Sequence, residues 1–194
     1  MPRDSRETKK QLLSAATEEF AAHGIAGARV DRIAATAGYN KNLIYVHFGS
    51  KDQLFDAVFA AAVEEIVDAA PFNADDLPGY AGQLFDFHLA HPHLMRLARW
   101  HSLERPDEVR GLPMVEHVNQ GKLQSLAAAQ AAGKVDAGLP PRVLLDLVVA
   151  LSSTWSEGTP EPVGPLTDPA AIAARRHAVV VAVGRVTRPP GPSA

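Results

Sequence analysis

Asn40, Lys41, Asn42, Tyr45, His47 and Lys51 place six hydrogen-bonding side chains within residues 40–51, interleaved with Leu43, Ile44, Val46 and Phe48. On a helix, Lys41 and Tyr45 lie one turn apart and Asn42 lies beside Tyr45 at i+3, so these three form one edge. Ile44 and Phe48 form the opposite, apolar seam. Such an edge has the chemistry to meet a DNA major groove, which is about 12 Å wide and admits a helix whose first residues reach base edges. Lys51 follows in a first helical turn, where a cation opposes the helix dipole, and a nearby phosphate would offset that cost.

The other candidates for chemistry are weaker. His88, His91 and His93 read H-x-x-H-P-H. A zinc site needs three or four converging ligands, and Pro92 breaks the helix between the second and third histidines. No metal is expected there. Ser152, Ser153, Thr154 and Glu157 surround Trp155, but no base is placed by spacing, and helix-end hydroxyls ordinarily bond backbone carbonyls. Gly-rich phosphate loops, G-x-S-x-G and H-E-x-x-H are absent from the sequence. No enzymatic activity and no cofactor are expected.

The elements that must hold the polar edge are helical throughout, because apolar residues recur at helical spacing between Gly and Pro punctuation. A first helix is predicted over residues 6–23, with Leu12, Ala16 and Phe20 as its stripe. Gly24 follows as a left-handed cap, with Ile25 folding back in a Schellman-type stop. Val30, Ile33, Ala34 and Ala37 define a short second helix, ended by Gly38. A third starts after Asn40 and stops at Gly49. Ser50-Lys51-Asp52-Gln53 is a capping box opening a long fourth helix to about residue 70. Further helices are predicted at 77–91, 92–104, 113–132, 140–156 and 168–187. Residues 157–169 read as a Pro-rich loop.

The 194 residues suffice for a core without staples, and with no cysteine there are no disulfides. No signal peptide and no membrane span are recognisable, so a cytoplasmic protein is expected. Net charge is −3, but residues 1–51 carry eight Lys/Arg against five Asp/Glu, or +3. The remainder carries eleven against seventeen, or −6. A basic head on an acidic body fits a polyanionic partner.

The stretch DRIAATAGYNKNLIYVHFGSKDQLF resembles the DNA-binding module of TetR-type transcriptional regulators. The matching places are Ile33-Ala34, Gly38, Asn40-Lys41, Ile44-Tyr45, His47-Phe48 and Ser50-Lys51. The resemblance implies an all-α protein, with an N-terminal three-helix helix-turn-helix domain (1–51) and a larger helical ligand-binding and dimerisation domain (52–188); the Pro-rich composition of 189–194 reads as a disordered tail. It implies DNA contacts from Arg29, Asn40, Lys41, Asn42, Leu43, Tyr45, His47 and Lys51. Two departures stand out. Arg29 occupies the region where a capping Thr or Ser is usual, and Leu43 stands where a small or hydroxylated residue is common.

In such regulators a cavity among the middle helices holds an effector. Phe85, His88, Trp100, Met114, His117 and Trp155 are the candidates here, for an apolar small molecule. The helices at 140–156 and 168–187 are apolar on nearly all sides. Leu144, Val148, Leu151, Val179 and Val183 are accordingly expected in a homodimer interface. The expected function is a regulator, most simply a repressor released from an inverted-repeat operator in double-stranded DNA by its effector. A DNA-binding dimer without effector, or an enzyme or metal-binding bundle, remain the alternatives.

Overall fold

The computed structural model describes residues 2–105, 113–156 and 167–190. Among them are nine α-helices and no strand. They are α1 (Pro2–Gly27), α2 (Val30–Ala37), α3 (Asn42–Phe48), α4 (Lys51–Ala69), α5 (Leu77–Ala90), α6 (Pro92–Glu104), α7 (Pro113–Ala131), α8 (Pro141–Ser152) and α9 (Pro169–Thr187). Most of the expected 157–169 loop, the end of the 189–194 tail and the Met114 side chain lie outside the described residues.

The chain divides into two compact units, Met1–Glu64 with Pro92–Val115, and Glu65–His91 with Glu116–Ala194. In the first unit, α1 packs against α2 and α6. Leu12, Ala16, Phe20, Ile33, Ile44, Leu54, Phe55 and Leu97 are all fully or almost fully buried. Phe20 meets Phe55 edge to face at 5.2 Å, and Phe55, Phe59 and His101 stack. In the second unit, α5 packs against α8 and α9, and α8 against α9. Its core gathers Leu77, Tyr80, Leu84, Phe85, Leu126, Leu144, Val148, Val179 and Val183.

Local signals set the helix ends. Asp76 and Asp168 cap α5 and α9 by accepting from Gly79 N–H at 2.8 Å and Ala170 N–H at 3.1 Å. Pro lies in the first turn of α5, α8 and α9, where its missing N–H goes unnoticed.

Two expected caps differ. The Schellman stop is at Gly38, not Gly24: Tyr39 N–H reaches Ala34 O at 2.9 Å and Gly38 N–H reaches Ala35 O at 3.2 Å. Gly24 has φ 71 but ψ −177, so it kinks the chain instead of closing an αL cap, and helix resumes to Gly27. The capping box at Ser50 is half formed. Ser50 Oγ accepts from Gln53 N–H at 3.1 Å, while Ser50 N–H turns back to Phe48 O at 3.1 Å.

Candidate nucleic-acid interface

The short α3 is held by its apolar face and presents its polar one. Ile44 and Phe48 are buried, and the Lys9 ammonium of α1 lies 5.6 Å from the centre of the Phe48 ring. Asn40 starts the helix, its Oδ1 accepting from Asn42 N–H at 2.9 Å. Lys41, Asn42 and Tyr45 are exposed, and Leu43 and His47 are half-buried. Lys41 reaches Asp31 of α2 at 3.2 Å. Both ends of that pair are exposed, so it contributes little and is readily exchanged for another anion. Val46 is 75% exposed, the highest value among the exposed large apolar residues. Sequence reasoning passed over it as a residue of the apolar set. The signal that could have found it is its position, one residue off the Ile44–Phe48 seam.

The corner between α1 and α2 orients this face. Arg29 stands at the N-cap of α2 with no side-chain cap of its own. Its backbone N–H donates instead to Glu19 Oε1 at 2.8 Å, and Glu19 also holds the Arg32 guanidinium. Burial pushes the Glu19 carboxyl up, but these donors together outweigh it and hold the group below the usual carboxylate range. Glu19 thus satisfies, from α1, the N–H of the N-cap residue itself, the part that a Glu or Gln three residues on plays in a capping box; it does not replace the Thr or Ser cap. The Arg29 side chain stays exposed.

Lys51 is half-buried and donates to Ala26 O and Ala28 O, both at 3.3 Å. It ties α4 to the corner, and these two carbonyls offset the helix-dipole cost that a phosphate was expected to offset.

From the other side, α6 grips the same corner. Glu104 accepts from Ile25 N–H at 3.2 Å and Ala26 N–H at 2.7 Å. Trp100 donates its indole N–H to Ala21 O at 3.3 Å. Arg105 pairs with Asp56 at 2.6 Å and Asp52 at 2.9 Å on α4. Trp100 thus props α6 against α1 within the first unit, its one polar atom engaged by the α1 backbone.

The other expected effector residues lie in the second unit. Phe85 and Trp155 meet edge to face at 6.5 Å, and the Arg175 guanidinium lies 5.6 Å from the centre of the Trp155 ring. His88 is buried, with Nδ1 3.3 Å from Ser152 O. Burial lowers its pKa against the opposing effect of that carbonyl. His117 is exposed on α7. A cavity of about 330 Å³ opens between α7 and α8, lined by Asn119, Lys122, Arg142, Leu145, Asp146, Val149 and Ala150. Among the described residues, no three His, Asp or Glu converge as a metal site would. His91 bonds Phe87 O and Glu65.

Four of the five expected dimer residues, all but the half-buried Leu151, need correction. Leu144, Val148, Val179 and Val183 are 0–2% exposed within the single chain, and Leu151 packs against the same core. A side chain already enclosed by its own unit cannot reach a partner's surface. The apolar residues that α8 leaves exposed are Val143, Leu147 and Val149.

A seven-residue helix, seated by Ile44 and Phe48 behind a tight glycine turn from α2, defines a helix-turn-helix protein. Residues 12–58 match the family of bacterial regulatory proteins of the tetR type, and residues 76–185 match the tetracyclin repressor-like C-terminal domain. The chain is 38% identical over 164 residues to the HTH-type transcriptional repressor SCO4008 of Streptomyces coelicolor, covering 82% of this chain and 83% of that one.

The crystal structure of SCO4942 from Streptomyces coelicolor is similar at TM-score 0.80 and 38% identity, covering 94% and 99% of the two chains. FadR of Bacillus subtilis, solved in complex with stearoyl-CoA, shares the fold at TM-score 0.63 and 16% identity, covering 91% and 98%. The chain belongs to the tetR family and is a DNA-binding transcriptional regulator. No described helix is long and apolar enough to cross a membrane.

Proposed function

We propose that this regulator is a homodimeric repressor, that α3 reads the major groove of an inverted-repeat operator, and that a small molecule bound in the second unit releases it. The observation that carries the reading is the exposed face of α3, where Lys41, Asn42, Tyr45 and Val46 project from a helix whose opposite face is buried. Lys41 and Tyr45 suit phosphates, Asn42 suits a base edge, and Val46 suits a thymine methyl. Asn40 serves the α3 start. Leu43 and His47, half-buried, contribute at the margin, and Arg29 supplies an exposed cation beside the corner.

Two-fold symmetry supports the operator form, since a dimer sets two recognition helices about 34–36 Å apart. The exposed Val143 and Leu147, one turn apart at i and i+4 on α8, supply an apolar strip for a second copy. Repression follows the relative SCO4008, which is named as a repressor. The effector role follows the match of residues 76–185, which include most of the second unit, to a tetracyclin repressor-like C-terminal domain.

The experiment is selection of DNA from a random pool by the full chain, followed by retardation and light scattering. An inverted repeat bound by a dimer is expected. Selection of no sequence, or binding by a monomer to a single half-site, would overturn the reading.

A further inference from the structure

The cavity between α7 and α8 contains a cation that has no counter-charge among the described residues. Lys122, half-buried on α7, donates from Nζ to the Tyr80 hydroxyl at 3.0 Å and lies 5.4 Å from the centre of that ring. Burial pushes the Tyr80 phenol up to about 12, so this partner is a neutral phenol. Burial likewise holds the Lys122 ammonium below the usual lysine range. Among the described residues no carboxylate pairs with Lys122. Asp146, the one acid lining the cavity, is engaged by Arg142 through Nε at 3.1 Å. Asn119 adds an amide, and Leu145, Val149 and Ala150 add apolar wall. A desolvated charge without a partner is costly. A largely apolar cavity with a few convergent polar groups is the usual form of a small-molecule site.

We propose that this cavity binds a small monocarboxylate on a compact apolar body, with Lys122 as the charge partner and Asn119 as a second donor. The volume is at the low end for such sites, about 300–1,000 Å³, which restricts the ligand to a small one. A single negative charge is favoured over phosphate or a dianion, because with Arg142 paired to Asp146 the lining leaves one positive charge, Lys122, to be balanced. The inference rests on the effector reading above and names the class of effector.

The test is calorimetric titration of the full-length protein with hexanoate and benzoate, against hexanamide, benzamide and inorganic phosphate. One carboxylate is expected to bind at least about tenfold tighter than its amide and than phosphate, a difference of about 1.4 kcal/mol. K122M, which keeps most of the apolar stem, is expected to erase that preference. N119A is expected to weaken carboxylate binding without erasing it.

In wild type, binding on the alkaline side, as pH is raised into the range where the Lys122 ammonium titrates, is expected to take up protons, read from the dependence of the heat on buffer ionisation, because a bound anion stabilises the ammonium. This readout does not depend on the folding of any variant. Equal affinity for acid and amide, carboxylate binding unchanged in K122M, or binding without proton uptake would overturn the proposal. A Lys122-dependent carboxylate that leaves the protein–DNA complex intact would uphold the site and defeat the effector reading.

Discussion

Gly24→Ala tests the corner that orients the helix-turn-helix. Gly24 has φ 71 and ψ −177, a region essentially restricted to glycine, and a β-carbon there costs on the order of 1–3 kcal/mol in backbone strain. Space adds to this. The new methyl would overlap Glu104 Oε1 and lie 2.9 Å from Trp100, so Glu104 would have to withdraw from Ile25 N–H. Ile25 is buried, and a buried donor left without an acceptor costs a further 1–3 kcal/mol or so. Ala26 is exposed and can turn to water.

The expected loss is roughly 3–5 kcal/mol, a large part of the stability of an ordinary domain, about 5–15 kcal/mol. It corresponds to a fall in melting temperature of roughly 10 °C. Gly27→Ala is the internal control. Its β-carbon would meet only His23 Cβ at 3.5 Å, and removing a helical glycine there is expected to be neutral or stabilising by about 0.4–1 kcal/mol. Urea unfolding of both variants settles the matter. If Gly24→Ala unfolds within 0.5 kcal/mol or so of Gly27→Ala, the account of the corner is wrong.

Val46→Ala is expected to relax preference at one operator position by about 1–3 kcal/mol with an unchanged salt slope, measured on single-base variants of the selected site, whereas Lys41→Ala is expected to weaken all sequences and flatten that slope. Leu147→Glu is expected to give a folded monomer by light scattering. Val148→Glu, placing a charge in the unit's own core, is expected to abolish folding, seen as loss of the cooperative urea transition; the reverse pattern would put the interface on the other face of α8. His88 carries an acid sensitivity. Its folded pKa lies below the ordinary value of 6.5, so as pH falls through 6.5 the unfolded chain takes up a proton that the folded one resists, and stability is lost. Urea midpoints at pH 7.5 and 5.5 are expected to differ less in His88→Gln than in wild type, and an identical pH dependence in the two would exclude the histidine as a cause.

The helices of this protein are largely local and were legible for that reason. Leu12, Ala16 and Phe20, or Ile33 and Ala34, recur at the period of a helix whatever lies across from them. Gly38 and the prolines act within a turn of their own position. Even the boundary of α3 after Asn40 follows from one side-chain oxygen and a neighbouring N–H. The family resemblance rests on the same kind of contiguous pattern.

Other features depended on residues far apart in the chain. Glu19 capping α2, Lys51 reaching the carbonyls of Ala26 and Ala28, and Glu104 reaching Ile25 and Ala26 span 10 to 79 positions. No periodicity records such a partner. The placement of α6 with the DNA-binding unit, and of the Trp100 indole N–H against Ala21 O, came from that packing. In α8 the pattern Val143 to Leu151 is apolar on nearly every side, so sequence offers no face to prefer. Only the core formed with α5 and α9 decided that Leu144 and Val148 turn inward and that Val143 and Leu147 remain for a partner. A helix declares its own period, but its neighbours choose which of its faces is buried, because burial is a property of two surfaces and not of one.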